Sequence, residues 1–132
     1  MERLKERLAV ARRALTTLEE LLAIQPPSPV ERDAAIQRFE TTFEAGLKAA
    51  QRYLRVVEGL SVGSPKGCVR ASRDLGLFSD EQAVVGLEMV DDRNLTAHPY
   101  NEGVAQRIHR NLRRYAELRG HWLTALQTRT TR

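Results

Sequence analysis

The sequence holds a single cysteine, Cys68, among its 132 residues. That excludes an internal disulfide and any metal centre built from several cysteines of one chain. Lysine is nearly absent as well: Lys5, Lys48 and Lys66 are three of 21 basic residues. Long apolar runs are missing, and nothing approaches the ~18–20 consecutive residues that a membrane-spanning helix needs. The start, Met1 to Arg7, has no apolar stretch of the kind that marks a secretory signal, so the expectation is a cytoplasmic chain with no membrane contact. No segment alternates apolar and polar residues over five or more positions, and neither Asn-Gly nor Asp-Gly occurs. This removes the usual signals for strands and hairpins. There is no glycine-rich phosphate loop, nucleophile elbow or zinc-ligand spacing, which argues against a self-contained nucleotide-binding enzyme.

What is present reads as helix. Apolar residues make up 42% and charged residues 29%, a balance that suits a folded globular chain. The length fits one domain over 1–132, since domains commonly run ~100–150 residues. Leu4, Leu8, Ala11, Leu15, Leu18 and Leu22 recur in steps of four and three, which puts them on one helix face. This stripe suits a core, and its regularity also suits a helix–helix dimer seam. Gln25 to Pro29 breaks the helix. Ser28 with Glu31 has capping-box spacing and Pro29 fits a first helical turn, so a second helix is expected from Pro29 to about Glu58. Its stripe is Ile36, Phe39, Phe43, Leu47, Ala50, Leu54 and Val57. Ser64-Pro65 opens a short helix that stops near Gly76. Ser79 with Gln82 opens a fourth, with Val84, Val85, Leu87, Met89 and Val90 as its apolar positions, ending at Ala97 or His98 because Pro99 disfavours helix there. Asn101 caps the fifth, expected from Glu102 to Thr128. Its stripe is Val104, Ile108, Leu112, Tyr115, Trp122 and Leu126, with Arg119 where an apolar residue belongs. Gln127 to Arg132 reads as a frayed tail. The fold expected is an all-α antiparallel bundle of about five helices, three long and two short.

Polar groups gather at Asp91–Glu102, where the fourth helix should end. Arg93 is suited to stabilising a phosphate's negative charge, His98 to moving a proton near neutrality, and Tyr100 to donating, accepting or being modified. Such a trio suits metal-independent RNA cleavage. On an unbroken helix Arg93 and His98 would lie roughly 140° apart, so they converge only if the helix ends between them or a second subunit completes the site. The plainer alternative is that Arg93 pairs with an acidic neighbour and His98 caps the helix. Glu40 and Glu44, one turn apart beside Phe39 and Phe43, can face Arg93 and hold its guanidinium, or stand as solvated glutamates. A metal site at Asp91 and Asp92 is disfavoured, because adjacent carboxylates on a helix diverge by about 100°.

Arg93-Asn94-Leu95-Thr96-Ala97-His98-Pro99-Tyr100 resembles the Arg-x-x-x-x-His-x-Tyr motif of HEPN domains. Ile36 to Glu44 with Lys48 and Tyr53-Leu54, Ser64-Pro65 with Val69-Arg70, and Leu87 to Glu102 are similar to one HEPN branch, the nucleotidyltransferase substrate-binding proteins. The likeness runs over about residues 4–126. It departs from the branch at Leu47, where tryptophan is usual, at Ala45 and Gly46, which are smaller than the branch leads one to expect, and at Gly67, where an acidic residue is common.

The resemblance implies a homodimeric helical bundle that acts with a separate minimal nucleotidyltransferase in a toxin–antitoxin-like pair, where the partner holds the nucleotide and Mg²⁺ and this chain needs no cofactor. It implies Arg93 and His98 as catalytic residues if the chain cuts RNA, Tyr100 as a site of AMP addition, and Asp92, Asn94 and Tyr100 as binding residues; Glu40 and Glu44 join the candidate binding residues through their spacing toward Arg93. A helical adaptor without an active site is the remaining reading. Arg107, Arg110 and Arg114, with Arg113 beside them, form a basic stripe on the fifth helix, suited to RNA, to an acidic partner or simply to water. His109 and His121 read as surface or packing residues, and Cys68 as a small packing residue.

Overall fold

The computed structural model describes residues 1–97 and 101–131. Five helices follow in order: α1 Glu2–Leu22, α2 Pro29–Val56, α3 Pro65–Asp74, α4 Asp80–Leu95 and α5 Glu102–Thr130. The described residues contain no strand, and the all-α bundle is as expected. Each interior start is fixed by the residue the spacing singles out. Ser28 Oγ accepts from Glu31 N while Ser28 N donates to the Glu31 carboxylate; Ser79 and Gln82 repeat this reciprocal pair. Ser64 Oγ accepts from Gly67 N, and Asn101 Oδ1 from Val104 N. Each cap satisfies a backbone donor that a helix start otherwise leaves open. α3 stops at Gly76, whose φ of 76° suits glycine alone among ordinary residues.

The α1 stripe is buried at all six expected positions. α2 buries Phe39, Phe43, Ala50 and Leu54 as expected and adds Ala35, Ala49 and Tyr53; Val57 is exposed instead, lying past the helix end. On α4 the expectation is corrected: Val84 faces outward, and the small residues Ala83 and Gly86 turn inward with Met89 and Val90. Close packing explains it, since a Cβ on Gly86 would come within 2.9 Å of Val69 Cγ1. α4 also ends at Leu95, short of Ala97. α5 outlasts its expected end, running to a buried Thr130 whose hydroxyl donates to the Leu126 carbonyl. No helix among the described residues is long and apolar enough to cross a membrane.

α1 and α2 form a hairpin, and α5 lies against both. Phe39 stacks on Tyr115 at 5.7 Å and meets Phe43 edge-on at 6.2 Å. Trp122 packs against Phe78 at 4.7 Å, which joins α5 to the turn between α3 and α4. Cys68 is wholly buried. Burial pushes its thiol up to about 11, with the Arg119 charge pulling weakly the other way. The thiol is therefore protonated and inert at neutral pH. Iodoacetamide at pH 8 is expected to leave the native protein unlabelled and to label Cys68 fully in denaturant, read by intact mass; native labelling at the rate of a small thiol would contradict this burial.

Candidate functional site

Arg93 sits on the last turn of α4, on the side that faces α2. Its Nη2 donates to Glu44 Oε1 at 2.6 Å, and its guanidinium lies 5.7 Å from the centre of the Phe43 ring. Salt bridge and ring hold one side of the group, a combination of charge-assisted bond and cation–π contact. The pair is half-buried, with Arg93 28% and Glu44 44% exposed, so water screens it only in part. Arg93 Nε is buried and has no acceptor among the described residues. The arginine is thus aimed and gripped, yet not all of its donors are spent.

It opens on a cleft of about 720 Å³ between α1 and α2. Arg3, Glu6, Arg7 and Val10 line one wall in the i, i+3, i+4, i+7 rhythm of a single helix face. Glu40, Thr41, Glu44, Ala45 and Lys48 line the other. Four cationic side chains meet three carboxylates there. Of the acidic pair expected to face Arg93, Glu44 makes the contact and Glu40 lines the same cleft. Sequence reasoning did not single out Arg3 or Arg7; the available signal was their position beside the buried Leu4, Leu8 and Ala11, one step around α1.

The neighbours of Arg93 divide. Asp92, expected as a binding residue beside it, turns the other way: it is 1% exposed and accepts from Tyr115 Oη at 2.6 Å and from Arg107 Nη2 at 3.2 Å. Consecutive helix residues point about 100° apart, and here that step carries Asp92 into the α4–α5 contact. Asp91 goes elsewhere again, to Lys66 at 2.8 Å, so the two adjacent carboxylates do not converge on a common ion. Asn94 is exposed. His98 and Tyr100 lie outside the described residues. Just after them the chain is anchored: Asn101 caps α5, and Arg32 on α2 pairs with Glu102 through Nη1 and Nη2.

The basic stripe on α5 is largely committed to structure. Arg107 pairs with Asp92 and Arg114 with Glu88 at 2.6 Å, both on α4. Two of the three stripe arginines are therefore interhelical ties. His109 is held below its usual range, first by burial and then by the nearby Arg32 charge; it lines a separate cleft with Arg110 and Arg113. His121 stacks on Phe78 and lies 3.3 Å from the Leu77 carbonyl.

The family model described as nucleotidyltransferase substrate binding protein like matches residues 6–128. A Thermus thermophilus protein of known crystal structure is 57% identical; the match covers 88% of this chain and 98% of that one, with a TM-score of 0.85. A mutant MntA–HpeT toxin–antitoxin structure matches at 14% identity over 97% of this chain and 99% of that one, with a TM-score of 0.79. A tri-AMPylated Shewanella oneidensis HEPN toxin, solved in complex with MNT antitoxin, matches at 14% identity over 95% and 96%, with a TM-score of 0.77. The last two likenesses establish the fold, a HEPN-type helical bundle. No curated protein matches the chain.

Proposed function

Because the chain belongs to the nucleotidyltransferase substrate binding protein-like family, we propose that it is the substrate-binding and regulatory half of a two-protein system, working with a separate minimal nucleotidyltransferase. The observation that carries the reading is Arg93: held by Glu44 and Phe43 at the rim of the α1–α2 cleft, with its side chain still 28% exposed there. A guanidinium in that state is ready to take a phosphate or a carboxylate. The nucleotide and its Mg²⁺ belong to the partner. Two fold relatives are toxin–antitoxin proteins, one of them AMPylated, which supports Tyr100 as the acceptor. In that step Tyr100 Oη attacks the α-phosphorus of ATP, the bond to pyrophosphate breaks, and the phenolic proton passes to solvent. In this reading the working form is a homodimer, and Asn94 and His98 are further residues of the Arg93 site.

A second reading uses the same arginine. In RNA cleavage the 2′-hydroxyl attacks the adjacent phosphorus and the 5′-oxygen leaves, with Arg93 steadying the phosphate and His98 moving the protons. The partly exposed Arg93 side chain at the cleft rim suits that role.

Binding of a purified minimal nucleotidyltransferase, followed by calorimetry, tests the first reading. Arg93→Ala is expected to weaken binding at least tenfold, and Glu44→Gln to change it by less than Arg93→Ala does. RNA cleavage in EDTA by unmodified wild type that disappears in His98→Ala would establish the second reading instead. Indifference of both assays to both substitutions would leave a helical adaptor.

A further inference from the structure

Arg119 occupies a place on α5 where the stripe of Ile108, Leu112, Tyr115, Trp122 and Leu126 calls for an apolar side chain. It is 2% exposed, and its Nε and Nη1 find no acceptor among the described residues. Burial pushes the guanidinium down to about 10, so it is still cationic at neutral pH. What holds it is aromatic and weakly polar. It lies 4.6 Å from the centre of the Trp122 ring and 5.8 Å from that of Phe43. Its Nη2 donates to the Phe43 carbonyl at 3.4 Å. The Phe43 ring is therefore shared by two guanidiniums, the buried Arg119 and, at 5.7 Å, the cleft-lining Arg93. The next residue in α2 is Glu44, which grips Arg93.

We propose that Arg119 is a positioning residue for Arg93: by fixing the carbonyl and ring of Phe43 from inside the core, it sets the turn of α2 that presents Phe43 and Glu44 to Arg93. This deepens the reading of Arg93 as the working arginine and rests on it. A leucine or methionine at 119 would fill the volume, yet it would neither donate to the Phe43 carbonyl nor exert a charge on Glu44. Buried cations without a matched carboxylate are costly, and apolar replacements are often tolerated or stabilising. Sites that break such a rule are commonly functional. Room for the group comes from Gly46, where a Cβ would come within 2.4 Å of the guanidinium carbon.

The test reads the Arg93 side chain directly, by the ¹⁵N–¹H resonance of its Nε–H. Arg93→Lys assigns the signal, and Glu44→Gln gives its position when the pair is released. Arg119→Met is expected to move the signal at least halfway to the released position with helix content unchanged. Arg119→Lys, which can still donate to the Phe43 carbonyl, is expected to restore part of that shift. Phe43→Leu should move the signal in the same direction, and adding Arg119→Met to it should move it no further. An unmoved signal in folded Arg119→Met overturns the proposal, as do additive shifts in the double variant. Should Arg119→Met fail to fold, an unmoved signal in Phe43→Leu overturns it equally. These readouts are independent of any partner. If the signal moves as expected while nucleotidyltransferase binding ignores Arg93→Ala, the positioning role stands and the functional reading falls.

Discussion

Gly46→Ala is expected to destabilise the protein by about 2 kcal/mol, and the same substitution in an Arg119→Met background to be neutral or stabilising by up to ~1 kcal/mol. The sign change follows from one contact. A glycine inside a helix ordinarily costs roughly 0.5–1 kcal/mol relative to alanine, so α2 would gain from the methyl if nothing opposed it. Here the new Cβ would sit 2.4 Å from Arg119 Cζ and Nη1 and 2.5 Å from Nε. An arginine tip normally swings aside at little expense. This one is enclosed by Phe43 and Trp122, and the neighbouring void is only about 10 Å³, hardly enough for a water molecule. Displacing the guanidinium therefore disturbs the core or drags a charge through it. Methionine at 119 removes the charge and adapts its shape to what is left. Urea denaturation of the four proteins gives the interaction term directly, and an equal cost of Gly46→Ala in both backgrounds would show that Arg119 is not what the methyl meets.

The same pair shows where a linear reading stops. Helix starts were legible because a cap is a local device: Ser28 with Glu31 and Ser79 with Gln82 need only their own turn. The α1 stripe was legible because every apolar residue at the 3.6 period went inside. Gly46 looked merely small for its place and Arg119 merely misplaced. Each explains the other, but they lie on different helices, and only packing brings them together. α4 was the hardest helix to read. Close approach to Val69 favours Gly86 at the buried face, where Ala83 is its small neighbour, and this left Val84 outside and blurred the periodicity. Part of the candidate site was legible too. Glu44 one turn beyond Glu40, beside Phe43, was placed to reach Arg93, and it does. Arg3 and Arg7 were not, since their one signal, a place beside the buried stripe of α1, is shared by arginines that face only water.

Arg119 also ties stability to function. If it is replaced by methionine, the unmatched cation leaves the core, and the fold is expected to tolerate this or improve, in line with the ~1–4 kcal/mol gains seen when buried charges give way to apolar groups. Arg93 should meanwhile lose its alignment. A stabilised but functionally impaired Arg119→Met is the pattern of a residue retained for its site.

Asp92→Ala is expected to be the most destabilising change in the segment around Arg93, by about 3 kcal/mol, because it removes a buried acceptor from a buried donor. Asp92 and Tyr115 are each 1% exposed, and the 2.6 Å bond between them joins α4 to α5 in the dry interior. Without the carboxylate the Tyr115 hydroxyl loses its buried acceptor and Arg107 loses its anchor. Tyr115→Phe should cost about 2 kcal/mol, since the carboxylate then keeps Arg107 alone, and the double variant should cost less than the sum because it strands neither group. Burial first, and then the Asp92 hydrogen bond, raise the Tyr115 pKa. The unfolded chain thus ionises this phenol first, near pH ~10, and the associated stability, complete below that pH, is lost above it. Asp92→Ala would therefore look like loss of a site residue in an assay run near its unfolding temperature. Asp92→Asn, which keeps an oxygen for Tyr115, separates the two roles. Near-normal partner binding by folded Asp92→Asn, with stability lowered but Arg93→Ala still defective, is the result expected of a structural carboxylate. A binding defect in fully folded Asp92→Asn as large as that of Arg93→Ala would return Asp92 to the site.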